Sequence, residues 1–207
     1  MFNRFYLFLL VAGMWGTAVT TAAQSSYSQA LLQHRQEYIA SLITDKHSPL
    51  KAEDTVFLDF FEPDPTYKVR ANVQLVKNKK PFDMATYNGK KKPYRKYAVL
   101  HFRLLGQLYS LEVYQSVKLS QDPKYKNHLF LPFKDLTNYE TTYGGGRYLD
   151  LSIPDIQGEV IEIDFNKAYN PYCAYSDGYS CPIPPDANKL PVAIPAGEKM
   201  YRKKHTE

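Results

Sequence analysis

The segment YKVRANVQL, residues 67–75, decides the fold class, because apolar and polar side chains alternate along its whole length. Alternation with a period of two is typical of a strand that buries one face and exposes the other. The same pattern recurs in AVLHFRL, residues 98–104, and Gly106 then permits a turn into residues 108–114. Two such segments around a short glycine-containing turn predict a β-hairpin.

Further strands are predicted on both sides of this hairpin, for a total of seven or eight short strands. Glycine, asparagine and proline separate the strands, and no helical crossover segment lies between them. This organisation predicts a mostly β fold, an antiparallel barrel or sandwich, rather than a parallel sheet. The additional strands are expected at residues 82–86, 128–131, 148–153 and 160–165.

The strands are preceded by a helix and followed by an irregular segment. Residues 28–43 carry apolar side chains at helical spacing, with Ser28 as a plausible N-cap, and Ser48-Pro49 favours a second short helical turn. Beyond Phe165 prolines become too frequent for a strand ladder, yet tyrosines and aliphatic residues persist. We therefore expect a proline-rich, irregular but ordered C-terminal strap rather than disorder.

The first 23 residues have the order of a secretory signal peptide. Arg4 precedes an apolar run, and the small residues Thr21-Ala22-Ala23 suit cleavage after Ala23. The alternative, an uncleaved anchor helix, needs a fully apolar stretch of about 20 residues, which is longer than the one present. No cysteine follows the cleavage site for lipid attachment. We expect an exported, periplasmic or secreted protein without a stable membrane anchor after cleavage.

The length and charge of the remaining chain suit a single mildly basic domain. We expect a signal peptide at 1–23, a helical segment at 24–54, one β domain at 55–199 and a basic tail at 200–207. Lysines bunch at 77–80 and 90–92. They could contact anionic glycan, lipid head groups or nucleic acid, but solvated loop tips that discourage edge pairing are the simpler interpretation. No aromatic residue lies within either of these lysine runs, so no nucleic-acid partner is predicted.

The two cysteines of the chain, Cys173 and Cys181, lie in the segment NPYCAYSDGYSCP. In an exported protein, a cysteine pair at short spacing favours a disulfide, and Asp177-Gly178 supplies the turn between them. Metal binding and redox activity are the alternatives. The spacing is not C-x-x-C and no histidine lies nearby in sequence, so neither a metal nor another cofactor is predicted.

Three glycines, Gly144, Gly145 and Gly146, precede Arg147 and could form a small anion site. Glycines allow successive amides to point inward, and the guanidinium could add a bidentate clamp for a carboxylate or phosphate. The alternative is a glycine-rich turn with Arg147 paired to an acidic neighbour. The segment is not a P-loop, because no Gly-Lys-Ser/Thr follows.

Polar residues gather where the last predicted strand ends and again near the C-terminus. They could form a polar cluster at the mouth of the barrel, or they could hydrogen-bond the irregular backbone of the strap. Serine-hydrolase and zinc-site signatures are absent from the sequence. The polar candidates are Asp164, Asn166, Tyr169, Asn170 and Glu198.

Three segments together resemble a bacterial family known as domain of unknown function 1684. They are FFEPDPTYKV at 60–69, YGGGRYLDL at 143–151 and the long run DFNKAYNPYCAYSDGYSCPIPPDANKLPVAIPAGEK at 164–199. The resemblance covers roughly residues 56–199 and implies no activity, substrate or cofactor. The motif residues it marks are Gly145, Gly146, Arg147, Asp164, Asn166, Tyr169, Asn170, Cys173, Cys181, Pro182, Asn188 and Glu198. Thr141 stands where the family usually has glutamate.

The leading functional hypothesis is binding of a small or oligomeric anionic ligand, including a glycan fragment, by Arg147 and the Gly144–Gly146 amides. A hydrolase that uses Asp164 or Glu198 as general base beside Arg147 is the first alternative. A structural or partner-binding envelope protein that uses the tyrosine-rich strap as its interface is the second. The sequence leaves open whether the protein is an enzyme.

Overall fold

The computed structural model describes residues 16–203, with side chains from residue 24 onward. Most of the predicted signal peptide and the end of the predicted basic tail therefore lie outside the described residues. Helix α1 spans Gly16–Thr44, which confirms the predicted helix and places its start further toward the N-terminus. Within the described part of the chain, no helix has the length and apolar character needed to cross a membrane.

Seven antiparallel strands form one curled sheet, a half-barrel, which confirms the predicted mostly β fold. The sheet order is β6-β5-β4-β3-β1-β7, and β2 pairs with β3 outside this path. Because β6 and β7 end the order, the barrel stays open between them. The strands are β1 Lys68–Leu75, β2 Pro81–Ala85, β3 Lys91–Leu104, β4 Gln107–Ser116, β5 His128–Phe133, β6 Arg147–Ser152 and β7 Val160–Asp164.

The hairpin of β3 and β4 forms where the sequence predicted it. Leu104 pairs with Gln107, so Leu105 and Gly106 alone form the turn. Both have positive φ, +50° and +80°. Such a turn matches the twist of the flanking strands, and glycine at the second position avoids the steric cost of that conformation.

The main core lies on one face of the curled sheet, as the period-two pattern requires. The predicted inward side chains of β3, from Ala98 to Leu104, are all buried, and Ile161 and Ile163 of β7 face them together with Phe165 directly after β7. Leu129, Leu131 and Phe133 of β5 complete this layer. The outward residues of β5 and β6 are consequently free to line a second surface.

The strap, residues 165–203, is ordered and irregular, as predicted. Short 3-10 turns at Phe165–Lys167, Tyr172–Ala174 and Asp186–Asn188 interrupt it. Its apolar residues Leu190 and Ile194 are buried in the main core. A smaller cluster joins α1 to the strap through Leu42, Leu50, Leu58, Ala174 and Tyr175. The helix therefore lies against the strap, beside the open side of the half-barrel.

Candidate functional site

A cleft of about 880 Å³ lies at the open side of the half-barrel, bordered by β6, β7, α1 and the strap. The volume is within the range of small-molecule sites, roughly 300–1,000 Å³. Residues from β3 and β5 extend its wall along the outward face of the sheet. The failure of β6 and β7 to pair thus creates the cavity, and α1 and the strap enclose it.

Aromatic side chains make up much of the cleft wall. The phenylalanine and tyrosine rings interlock edge to face: Phe130 and Tyr148 have centroids 4.7 Å apart, and Tyr148 and Tyr169 5.9 Å apart. Burial raises the pKa of Tyr94 to about 12, so its phenol is neutral at pH 7. The aromatic lining residues are Tyr38, Tyr94, Phe130, Tyr148, Tyr169, Tyr172 and Tyr179.

The charged groups of the cleft are mostly acidic. Two lysines, Lys92 and Lys167, are outnumbered by the carboxylates. Burial and then the neighbouring Lys167 lower the pKa of His34, which favours its neutral form. The cleft therefore carries net negative charge and disfavours anions. The lining carboxylates are Asp150, Asp155, Glu162 and Asp164.

Asp150 is an accessible acceptor of the cleft, with a side chain that is 53% exposed. His128 Nε2 lies 2.9 Å from Asp150 Oδ1, and the Tyr169 hydroxyl donates to the same oxygen at 3.0 Å. Oδ2 is left without a hydrogen bond from these two side chains. Asp150 pairs with Phe130 in the sheet, so both project from the outward face. Sequence analysis missed Asp150 and His128, although the alternation along β6 would have placed Tyr148 and Asp150 together.

Asp164 lines the cleft, but both of its oxygens are occupied. The Tyr27 hydroxyl of α1 donates to them at 3.0 and 3.1 Å. Asn166 donates to Oδ1 through its backbone and side chain. Asn166 also pairs with the backbone of Asp64 in both directions, at 2.8 and 2.9 Å. The predicted site residues Asp164 and Asn166 therefore lie together, and their hydrogen bonds connect α1, the segment before β1 and the strap.

Asn170 lines the cleft, but its side-chain oxygen is buried. The residue is 1% exposed. Its backbone N–H donates to Glu198 and its Nδ2 donates to the Lys199 carbonyl at 2.8 Å, which defines the amide orientation. Oδ1 is buried and has no hydrogen-bond partner. A buried acceptor without a donor costs free energy, but this oxygen is closed to solvent and is not presented to a ligand in the cleft.

Glu198 lies behind the cleft wall and is fully buried. The Tyr175 hydroxyl donates to Oε1 at 2.6 Å, and the Tyr38 hydroxyl and the Asn170 N–H donate to Oε2. Burial raises the pKa of Glu198 to about 7, against the lowering effect of these donors. Glu198 is not among the cleft-lining residues. It joins α1 to two parts of the strap.

Arg147 is also fully buried and does not line the cleft. Its Nη2 donates to Asp135 Oδ2 at 2.8 Å and to the Ile194 carbonyl at 2.9 Å, and its Nη1 donates to the Ala196 carbonyl. The alternative in which Arg147 pairs with an acidic neighbour is confirmed. This guanidinium holds the strap against β6 and is not presented to a ligand.

Comparisons with known proteins agree with the resemblance seen in the sequence. The profile of the family described as "Protein of unknown function (DUF1684)" matches residues 56–199. The chain belongs to the DUF1684 family. The chain is also similar to an uncharacterized protein of Haloarcula marismortui solved by solution NMR, with 33% identity, 87% of this chain and 92% of that chain covered, and a TM-score of 0.59. Among curated proteins the comparison finds no significant match.

In this DUF1684 domain the glycine run is a close-packed turn. Gly144, Gly145 and Gly146 are buried, and the Gly146 N–H donates to the Tyr143 carbonyl at 3.1 Å. A Cβ on Gly144 would overlap the Tyr139 ring, and one on Gly145 the Tyr143 ring. Tyrosine rings pack over Gly144 and Gly145, and Gly146 lies against the Phe133 carbonyl, so the structure favours the turn over an anion nest.

The DUF1684 domain contains the predicted disulfide between Cys173 and Cys181, with Cα atoms 6.2 Å apart. The bridged loop contributes Tyr179, Ser180 and Cys181 to the cleft wall. The bridge thus shapes one side of the cleft, which the sequence could not show.

Within residues 16–203 no group of histidine, cysteine or carboxylate side chains has the arrangement of a metal site.

Proposed function

We propose that this DUF1684 domain binds a hydroxyl-rich, uncharged or amine-bearing ligand, a glycan fragment, in the cleft at the open side of the half-barrel. The observation that carries the proposal is a cleft wall that holds four carboxylates, among them Asp150, whose Oδ2 receives no hydrogen bond from His128 or Tyr169. These groups accept hydrogen bonds, so a ligand that binds them has to supply hydrogen-bond donors. Sugar hydroxyls and amino groups supply donors in the required number.

The aromatic lining supports the same class of ligand. Partly exposed rings such as Tyr172 and Tyr179 offer flat apolar surface against which the C–H faces of a sugar can pack. A cleft that combines such rings with a few acceptors is organised for an amphipathic ligand rather than for a purely apolar one.

The charge of the cleft argues against the anionic ligand expected from sequence. That hypothesis rested on Arg147, which is engaged with Asp135 inside the domain. Carboxylates outnumber lysines in the cleft, so an anion would meet net repulsion. A glycan fragment remains the proposed ligand, but the negative charge expected for it from the sequence is no longer proposed.

Calorimetric titration of the chain from Gln24 onward tests this proposal. We expect neutral or N-acetylated disaccharides to bind and uronate disaccharides to fail. Asp150→Asn retains the oxygen that accepts from His128 and Tyr169 and replaces the second one, so affinity should fall at least about tenfold. Asp186→Asn, an exposed position outside the cleft, is the matched control. Preferential binding of the uronates, or equal affinity of both variants, would refute the proposal.

An enzyme acting on the same ligand is the second candidate, favoured by the contact between Asp150 and His128 inside the cleft. The hydrolase expected from Asp164 and Glu198 has weaker support, since Glu198 does not line the cleft. Incubation of each bound saccharide with the protein, followed by mass spectrometry, distinguishes binding from turnover. Intact recovery of the saccharide argues against an enzyme, and products absent with Asp150→Asn support one.

The strap offers less support for a partner-binding scaffold. Tyr175 is buried, and Tyr169, Tyr172 and Tyr179 are partly buried around the cleft rather than forming an exposed aromatic patch. Interfaces are built on accessible aromatic side chains. The tyrosines of the strap are instead placed to meet a small ligand.

We also propose that the protein is exported with cleavage after Ala23. The signal-like order of residues 1–23 and the disulfide, which persists in oxidising compartments, support this location. Mass spectrometry of the protein produced in a secreting host should show Gln24 as the first residue. Retention of Met1 in the exported fraction would contradict cleavage.

A further inference from the structure

Positive charge is concentrated in the segment of β2 and the first half of β3. Residues 77–96 contain eight lysines and arginines and one acidic residue, while the whole chain has a net charge of +5. The adjacent loop, residues 117–127, adds three lysines and one aspartate. We call these two segments together the basic ribbon. The remainder of the chain is consequently net negative.

The fold brings the segments of the basic ribbon together. Strand pairing places Lys91 opposite Ala85 and Arg95 opposite Pro81. The Val117 N–H donates to the Pro93 carbonyl at 3.0 Å, which joins the loop to β3. Burial and then Lys118 lower the pKa of Lys92, so charges from the two segments are close enough to repel.

These charges are largely unneutralised within the protein. Among the described residues, Lys96 is the one basic side chain of the ribbon with an ion-pair partner, Glu112 at 2.5 Å. Lys77, Lys80 and Lys90 are exposed. A surface that accumulates like charges at the expense of repulsion is suited to an anionic partner.

Protection of an edge strand does not account for the whole ribbon. β2 pairs with β3 alone and is an edge, and one or two lysines with Pro81 would suffice to discourage pairing. Lysines also occupy the partner strand β3, the turn before it and the separate loop. Lysines spread over strand β3, the turn before it and the loop form a surface large enough for an extended anionic partner.

Apolar side chains among these lysines favour a lipid surface. Phe82 and Tyr125 are each 38% exposed and Leu119 37%. Aromatic and aliphatic residues enter the head-group region, while lysines contact anionic lipids. We propose that the basic ribbon docks this protein on an anionic lipid surface.

Vesicle co-sedimentation at low and high salt tests the proposal, with phosphatidylcholine vesicles and vesicles containing about one-third phosphatidylglycerol. The wild type should bind the vesicles that contain phosphatidylglycerol and not the phosphatidylcholine vesicles. This binding should weaken as the salt concentration rises. The ribbon variant Lys77→Gln/Lys80→Gln/Lys90→Gln/Lys91→Gln should lose at least about a hundredfold in partitioning. The matched control, Lys46→Gln/Arg70→Gln/Arg103→Gln/Lys189→Gln, changes the net charge equally at exposed positions elsewhere and should stay within about threefold of wild type.

Thermal melts of both variants establish that each is folded. If both variants lose vesicle binding equally, the net charge of the protein explains the binding, and the proposal is overturned. Failure of the wild type to bind anionic vesicles would overturn it as well. Binding to a soluble polyanion such as heparin without binding to vesicles would assign the ribbon to another partner. Asp150→Asn should bind vesicles as wild type does, so this test is independent of the cleft.

Discussion

Replacing Arg147 with alanine is expected to destabilise the domain severely. The guanidinium is fully buried and paired with Asp135, whose own side chain is also inaccessible. It donates as well to the carbonyls of Ile194 and Ala196, so it connects β6 to the strap. Its removal leaves a buried carboxylate without a counter-ion and two strap carbonyls without this donor.

Removing one partner of a buried ion pair lowers the free energy of unfolding by about 3–5 kcal/mol. This is a large part of a typical unfolding free energy of about 5–15 kcal/mol. For a domain of this size, each kcal/mol corresponds to about 2–4 °C in melting temperature, so Arg147→Ala should melt roughly 6–20 °C lower.

Urea unfolding followed by circular dichroism measures the effect. Arg103→Ala, at an exposed arginine, is the matched control and should change the unfolding free energy by less than about 0.5 kcal/mol. Combining Arg147→Met with Asp135→Asn should be less harmful than Arg147→Met alone, because the second substitution removes the uncompensated charge. An Arg147→Ala variant within about 1 kcal/mol of wild type would refute this reasoning and restore Arg147 as a ligand clamp.

Two further substitutions and the reduction of the disulfide test the strap and the turn before β6. Because burial raises the pKa of Glu198 from 4.5 to about 7, its stabilising contribution is complete below pH 4.5 and is lost as pH rises through about 7. Glu198→Gln should therefore remove roughly 3 kcal/mol of pH dependence, measured by urea unfolding at pH 4.5 and 8. Reduction of the Cys173–Cys181 bridge should lower stability by about 2.5 kcal/mol in melts with and without reductant, and free thiols in non-reducing mass spectrometry would contradict the bridge. Gly146→Ala should cost more than Gly89→Ala in urea unfolding: both have positive φ, but only at Gly146 does the new Cβ meet the Phe133 carbonyl, at 2.6 Å.

The strands were predictable because their information is local. Alternation in residues 67–75 and 98–104 reports which side chains face a core, whatever that core contains. The same holds for the turn at Gly106, where positive φ is a property of the residue itself. The cysteine pair was predictable because its two members are close in sequence.

The candidate site was only partly predictable, because its residues meet across the fold. Asp164 and Asn170 were singled out and do line the cleft, whereas Asp150 and His128 were not. Nothing in the local sequence of Asp150 indicates that His128 from another strand will contact it. Side chains on the outward face of a strand are usually solvated, and here α1 and the strap cover them.

The amino-acid sequence by itself determined the strands, the helix before them, the ordered strap and the disulfide, since each depends on residues near one another in the chain. The tertiary structure decided what the conspicuous residues do. Arg147 donates to a carbonyl 49 residues away, and Tyr38 donates to Glu198 across 160 residues. Burial and charge pairing at such separations depend on how the sheet curls and where it remains open. The same arginine is a ligand clamp on a surface and a structural clasp in a core, and only the fold distinguishes the two.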